Sequence, residues 1–242
     1  MIPTKINGKV LVSRETWNEA MVAVGDYYKD DYYITDFDYG GGYYRIVMSK
    51  NIGWNGQIIR YGKDFPQEEI KEGWDKGYHI TNLLHDGSDW IVIMSGVPGC
   101  LSQQWFTRTG WADFKNEISR IWNEDMVLTK VACRLNPAPN VYCGVASKMN
   151  VSQGQKYNFF PGGTPKDIMA LCVEGNKITD IYDFEGGVVA ITTTQSGWSK
   201  QVLLTGPNWE GNVKTIKEYW DKGYNVTTMC YYNNMWYIIV SY

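Results

Sequence analysis

The feature that most constrains this chain is a threonine that returns at nearly constant spacing, each time inside the same local pattern. Thr35, Thr81, Thr129, Thr179 and Thr227 are separated by 46, 48, 50 and 48 residues. The clearest copies run from Trp74 to Thr81 (WDKGYHIT) and from Trp220 to Thr227 (WDKGYNVT). A period of this size marks a stack of supersecondary units, each of which needs its neighbours to bury its apolar face.

Upstream of each threonine the register is free of gaps. Eleven positions earlier stand Val24, Ile70, Ile118, Ile168 and Ile216, and seven earlier stand Tyr28, Trp74, Trp122, Cys172 and Trp220. Those slots are four apart, so they share one face of a helix whose core side they define. Gly77, Gly175 and Gly223 fall where such a helix must stop. Downstream, a strand begins at the threonine, with Phe37, Leu83, Val131, Ile181 and Met229 two residues on. A turn follows (Gly40–Gly42, Asp86–Gly87, Glu185–Gly187, Asn233–Asn234) and then an apolar run: Tyr44–Met48, Trp90–Met94, Val188–Thr192 and Trp236–Val240. Such a run predicts the middle strand of its sheet, covered on both faces. Four extra residues around Pro137–Asn140 lengthen the third hairpin. A third strand starts near Gln57, Gln104, Lys156 and Gln201.

The last copy ends after its second strand, whereas Gly8–Ser13 resembles a third strand standing before the first helix. The expected fold is therefore α+β and strand-dominated, with three strands and one helix per unit. The N-terminal strand would complete the last repeat and close a five-fold, propeller-like ring, which removes sheet edges. On this reading residues 1–242 form one domain, with repeats at about 14–61, 62–109, 110–160, 161–205 and 206–242 plus 1–13.

Composition narrows the function classes. The net charge is −3 with both signs scattered, so there is no basic run to neutralise a phosphate backbone, which argues against nucleic acid. No apolar stretch reaches the length of a membrane span, and the first residues lack the apolar core of a signal peptide. Five cysteines without a CxxC spacing suggest reduced thiols in an intracellular, cytoplasmic setting rather than a zinc site or disulfide frame. The sequons at Asn150 and Asn225 are too short a pattern to argue for secretion. No cofactor motif is present: Gly162–Lys166 has neither the spacing nor the ending of a P-loop.

The phrases IKEGWDKGYHITNLLHDGSDWIVIMSG, QQWFTRT and IKEYWDKGYNVT resemble a Trp-rich repeat domain of uncharacterised function. That domain is found C-terminal to the kinase domain of plant casein-kinase-1-like kinases and in bacterial and protist proteins. The resemblance covers essentially the whole chain and is strongest at residues 66–109 and 212–241; it departs where Met126 and Asn176 replace the usual tyrosine. It implies an accessory interaction module without catalytic residues. No kinase domain accompanies it here.

Each candidate site has a plainer reading beside it. His85–Asp86 and a cysteine would be the raw material of a pentein-like enzyme, but a single His–Asp dipeptide does not make a nucleophile and base. His79 occupies a variable slot that suits a surface position. Asp30, Asp31, Asp36 and Asp38 lack the spacing of a calcium loop and suit a solvated turn. The loops between second and third strands hold Trp54–Asn55 and Trp198–Ser199, aromatic and polar neighbours that suit a protein hot spot or a carbohydrate face. The corresponding residues Cys100 and Gln153 do not repeat that chemistry. The expectation is thus a non-catalytic protein-interaction or structural module, with Trp54, Asn55, Trp198 and Ser199 as binding residues. A lectin-like carbohydrate binder is the alternative, and an enzyme comes third.

Overall fold

A computed structural model of the chain describes residues 4–6, 8–135, 139–149, 154–172, 175–194 and 196–242. Strands β1 (Thr4–Ile6) and β2 (Lys9–Arg14) precede helix α1 (Trp17–Tyr28), β3 (Tyr33–Gly40) and β4 (Tyr43–Ser49). The same order then repeats: β5 (Gln57–Gly62), α2 (Gln67–Asp75), β6 (His79–His85) and β7 (Trp90–Ser95). The third copy comprises β8 (Cys100–Arg108), α3 (Trp111–Asn123), β9 (Val127–Arg134) and β10 (Val141–Met149). The fourth has β11 (Gln155–Pro161), α4 (Pro165–Leu171), β12 (Lys177–Phe184) and β13 (Gly187–Thr193). The fifth has β14 (Gln201–Gly206), α5 (Trp209–Asp221), β15 (Asn225–Tyr232) and β16 (Met235–Ser241).

Five antiparallel sheets result, ordered β1-β2-β4-β3, β5-β7-β6, β8-β10-β9, β11-β13-β12 and β14-β16-β15. The apolar runs are the central strands, as their composition requires; β7 and β13 are buried along their whole length. The helix anchors Val24, Ile70, Ile118, Ile168 and Ile216 are all buried. Each helix is followed by a residue at positive φ four positions before the threonine, either glycine (Gly77, Gly175, Gly223) or aspartate (Asp31, Asp125). In four copies an aromatic at the helix start meets one at the start of the central strand. The pairs are Trp17–Tyr44, Phe65–Trp90, Trp111–Tyr142 and Trp209–Trp236, with ring centroids 5.4, 5.3, 5.9 and 4.8 Å apart.

The anchor threonine has a specific task. In all five hairpins the register slips at that residue, so it is the extra residue of a β-bulge. A bulge leaves a carbonyl on the facing strand without its ladder partner, and the threonine hydroxyl supplies the missing donor. Thr35, Thr81, Thr129 and Thr179 donate to the carbonyls of Val47, Ile93, Val145 and Ile191 at 3.2–3.4 Å. Thr227 bonds the Ser241 hydroxyl instead.

The expected role of the N-terminal strand is corrected. β2 does not complete the last repeat; it pairs with β4 from Lys9↔Ser49 to Arg14↔Tyr44 and belongs to the first sheet. The outer edge of β16 is taken by β14, from Gln201↔Ser241 to Gly206↔Trp236, and a strand has only two edges. Each third strand pairs forward, with the hairpin beyond the next helix. The sheet-forming units are thus contiguous and run over 4–49, 57–95, 100–149, 155–193 and 201–241, not over the ranges expected from the sequence. β8 and β11 also begin earlier than expected, at Cys100 and Gln155.

The chain divides into two compact units, Gly53–Gln155 on one hand and Met1–Ile52 with Lys156–Tyr242 on the other. In the first of these, β6 lies beside β9. In the second, β15 lies between β12 and β3, so the last sheet packs against the first. The apolar core of this unit includes Leu11 and Val47 from the first sheet with Ile216, Trp220 and Ile238 from the fifth.

A glutamine at the start of the outer strand repeatedly locks such neighbours together. Gln103 accepts from the Ile80 N–H (2.6 Å) and the Trp74 indole (3.1 Å), and it donates to the Ile80 carbonyl (2.9 Å) and the Ser147 hydroxyl (3.0 Å). Gln155 makes the same clamp on Leu128 and Trp122. Gln201 clamps Ile178 and Ser241. Trp74 and Trp122, expected in the core, are therefore only half-buried: their indole N–H groups need a polar partner, which the glutamine supplies. In the first sheet this register position holds Lys9, whose ammonium donates to the Tyr224 carbonyl (2.9 Å). An ammonium has no acceptor, and the buried Trp220 indole N–H is left without a partner.

Candidate functional site

The central strand β4 carries a buried charge at a slot that is uncharged in the other four copies. Arg45 stands where Ile91, Cys143, Val189 and Tyr237 stand in the other sheets, opposite Asp38 on β3 and Ser13 on β2. This slot faces the preceding helix start: Tyr237, its counterpart in β16, donates its hydroxyl to the Gly163 carbonyl just before α4 (2.5 Å). Arg45 correspondingly reaches Trp209, the first residue of α5.

Arg45 is only 6 % exposed. Its guanidinium carbon lies 4.5 Å from the centroid of the Tyr43 ring and 4.7 Å from that of Trp209, with Trp236 at 6.0 Å. These are cation–π distances. Among the described residues Nε and Nη1 have no hydrogen-bond partner and Arg45 forms no ion pair. Asp38, although directly across the ladder, is engaged elsewhere and accepts from the Tyr231 N–H at 2.7 Å. Burial lowers the arginine's pKa to about 10, against the upward pull of Tyr43 and Glu210.

The guanidinium borders an open cavity of about 480 Å³ lined also by Ser13, Tyr43, Trp209, Tyr231 and Trp236. Glu15, Asn208 and Glu210 stand on its exposed rim. Tyr43 donates to Glu15 (2.9 Å), and that bond raises the phenol's pKa. Asn208 caps α5 by accepting from the Glu210 N–H (3.0 Å). Gly40 lets Tyr231 lie against the β3–β4 hairpin, since a Cβ there would sit 2.2 Å from the Tyr231 ring. The cavity therefore offers one unpaired cation, aromatic walls and a helix N-terminus, whose amides favour negative charge.

Residues 20–86 match the family model of a domain of unknown function (DUF7477). The match runs from α1 to the end of β6 and includes Gly40, Tyr43 and Arg45, but not the α5 side of the cavity. No curated protein matches the chain.

The residues singled out from the sequence lie elsewhere. Trp54 and Trp198 are half-buried, and each belongs to a different compact unit. Asn55 donates its backbone N–H to the Gly96 carbonyl, and Ser199 donates its N–H and hydroxyl to the carbonyl of Tyr242, so both tie down their loops. Gln153 and Asn150 lie outside the described residues.

His85 packs edge-on against Trp90 and accepts from the Gly87 N–H, while Asp86 accepts from Ser88 and Asp89 within the turn. His79 is half-buried rather than a surface residue, because it opens β6 opposite Ser95; burial lowers the pKa of both histidines. All five cysteines are free thiols, and burial raises the pKa of Cys100, Cys143, Cys172 and Cys230, opposite to what a thiolate nucleophile needs.

The acidic run is also corrected. Asp30 and Asp31 lie in an exposed turn, but Asp36 and Asp38 are buried on β3, because alternation along a strand whose two faces are covered turns both inward. Asp180 and Asp183 on β12 share the interior with them, and β15 between carries Thr228, which donates to Asp180 (3.0 Å). Burial, then the neighbouring Asp183, raises the Asp38 pKa well above the carboxylate range; burial alone raises Asp183 to about 6. Among the described residues no group of three or more His, Cys, Asp or Glu has the arrangement of a metal site. No helix among them is long and apolar enough to cross a membrane.

Arg45 escaped notice in the sequence, although its signal was there: it is the charged residue inside a central-strand run that is uncharged in the other copies. The glutamines were legible in part: Gln57, Gln103 and Gln201, which face Ser95, Ser147 and Ser241, each follow their threonine by 22 residues, whereas Gln155 follows Thr129 by 26.

Proposed function

We propose that this chain is a non-catalytic protein-interaction module, and that the Arg45 cavity is where a partner is seated. The observation that carries this reading is a buried arginine whose Nε and Nη1 find no acceptor among the described residues, lining an open, aromatic-walled cavity. An unpaired buried cation is expensive in a structure that needs it only for packing, and the other copies pack that slot without charge. Arginine, tyrosine and tryptophan are also the residue types that dominate binding energy at protein interfaces.

Binding by a single unique cavity fits a protein partner better than a repetitive glycan, whose receptor would repeat its pocket from copy to copy. Trp54 and Trp198 retain a supporting role as half-buried loop anchors. The module would act inside the cell, in keeping with its five free thiols.

The test compares proteins captured from a native extract by the wild type, Arg45→Met, and Trp54→Ala with Trp198→Ala, using quantitative mass spectrometry. Proteins recovered by the wild type and lost at least tenfold with Arg45→Met are expected. A capture profile indifferent to Arg45 would sink the reading, as would glycan-array binding that vanishes in the tryptophan variants.

A further inference from the structure

We infer that the Arg45 cavity is a carboxylate-binding site, filled by an acidic side chain or the C-terminal carboxylate of a bound peptide. The inference rests on the interaction-module reading and names the chemistry its partner must present. The guanidinium carbon lies 4.5 Å from the centroid of Tyr43 and 4.7 Å from that of Trp209, so the rings supply cation–π contact but no hydrogen-bond acceptor, and Nε and Nη1 stay without one. A guanidinium with unmet donors beside a cavity matches the planar, two-oxygen geometry of a carboxylate.

Charge decides between anions. Glu15 and Glu210 stand on the rim, both exposed. A phosphate dianion entering here would meet two carboxylates with one cation to hold it. A monoanionic carboxylate is matched by Arg45 alone, and the rim glutamates are left to accept from the amide N–H groups that accompany a peptide carboxylate. Asn208 already occupies the Glu210 N–H, so helix α5 contributes its dipole rather than a full set of free amides. The volume, about 480 Å³, admits one residue with its flanking peptide groups but not a folded element.

The site is reachable by nuclear magnetic resonance, because the Arg45 Nε–H and the indole N–H groups of Trp209 and Trp236 report on it directly. The full chain is titrated with N-acetyl-glutamate α-amide (side-chain carboxylate only), N-acetyl-alanine (terminal carboxylate only), neutral N-acetyl-glutamine amide and inorganic phosphate. One or both carboxylates should shift these signals saturably, with a Kd on the order of 1–10 mM, and which of the two binds more tightly identifies the source. The neutral amide should produce no saturable shift, phosphate should bind more weakly than the carboxylates, and Arg45→Met should abolish the response.

Glu210→Gln removes one rim charge without touching the arginine and should tighten carboxylate binding about two- to five-fold. It keeps the inference testable should Arg45→Met fail to fold. Absence of saturation by either carboxylate, equal shifts with the neutral amide, tighter binding of phosphate, or weaker carboxylate binding by Glu210→Gln would each overturn it. The two proposals fail separately. Arg45-dependent partner capture without carboxylate binding defeats this inference alone, and carboxylate binding with capture indifferent to Arg45 defeats the module reading alone.

Discussion

Lys9→Gln should stabilise the protein, although it replaces a residue that already makes a hydrogen bond. Lys9 faces Ser49 across the ladder as Gln103 faces Ser147 and Gln201 faces Ser241, so a glutamine there is in register to clamp the fifth copy. The gain is an acceptor for the Trp220 indole, which is 1 % exposed and unpaired. An orphaned buried donor costs about 1–3 kcal/mol, and the loss of the ammonium bond to Tyr224 costs about 1 kcal/mol. Burial also lowers the pKa of Lys9, a sign that its charge is held at some expense, which glutamine avoids. The net gain is at most about 2 kcal/mol, or a rise of up to roughly 8 °C in Tm for a chain of this size. Thermal unfolding followed by circular dichroism measures it. Lys9→Met separates the causes, since it removes the charge without supplying an acceptor. The reciprocal Gln103→Lys should cost about 2–4 kcal/mol, because it orphans both the Trp74 indole and the Ile80 N–H. If Lys9→Gln and Lys9→Met behave alike, or Gln103→Lys is neutral, the clamp is not what holds these strands.

Gly40→Ala should destabilise by about 1–3 kcal/mol, since its Cβ would fall 2.2 Å from the Tyr231 ring and push that ring towards the cavity; denaturant unfolding gives the loss, and an unchanged midpoint would contradict the packing described. Asp183→Asn tests the buried acids. The folded carboxyl titrates near 6 against 3.8 for its ordinary value, so its favourable contribution is complete below about pH 4 and is lost as pH rises through 6. The asparagine variant should match the wild type at pH 4 and exceed it at pH 7, by at most about 3 kcal/mol; urea midpoints at the two pH values check the sign.

Much of the architecture was written locally. The helix anchors, the helix stops at positive φ, the hairpin turns and the central strands are all properties of short stretches, where side-chain period and backbone preference act over a few residues. The threonine that revealed the repeat proved to be the bulge residue, a role that its recurrence marked but could not explain. Arg45 and the glutamines were visible as a break and a period in the same pattern. Their meaning was not, because it depends on what lies across from them.

What the sequence alone determined is therefore the unit, its five copies and the type of each element. The tertiary structure decided three further things. It assigned each third strand to the hairpin that follows it, since a repeat has no intrinsic starting point and only ladder hydrogen bonds show which edge is used. It turned Asp36 and Asp38 inward, because burial depends on the neighbouring sheets and not on the residues beside them in the chain. And it made the cavity, by bringing β4 against the start of α5, more than 160 residues later in the sequence. No local propensity reaches that far, so a site built from two such segments exists only once the sheets have packed.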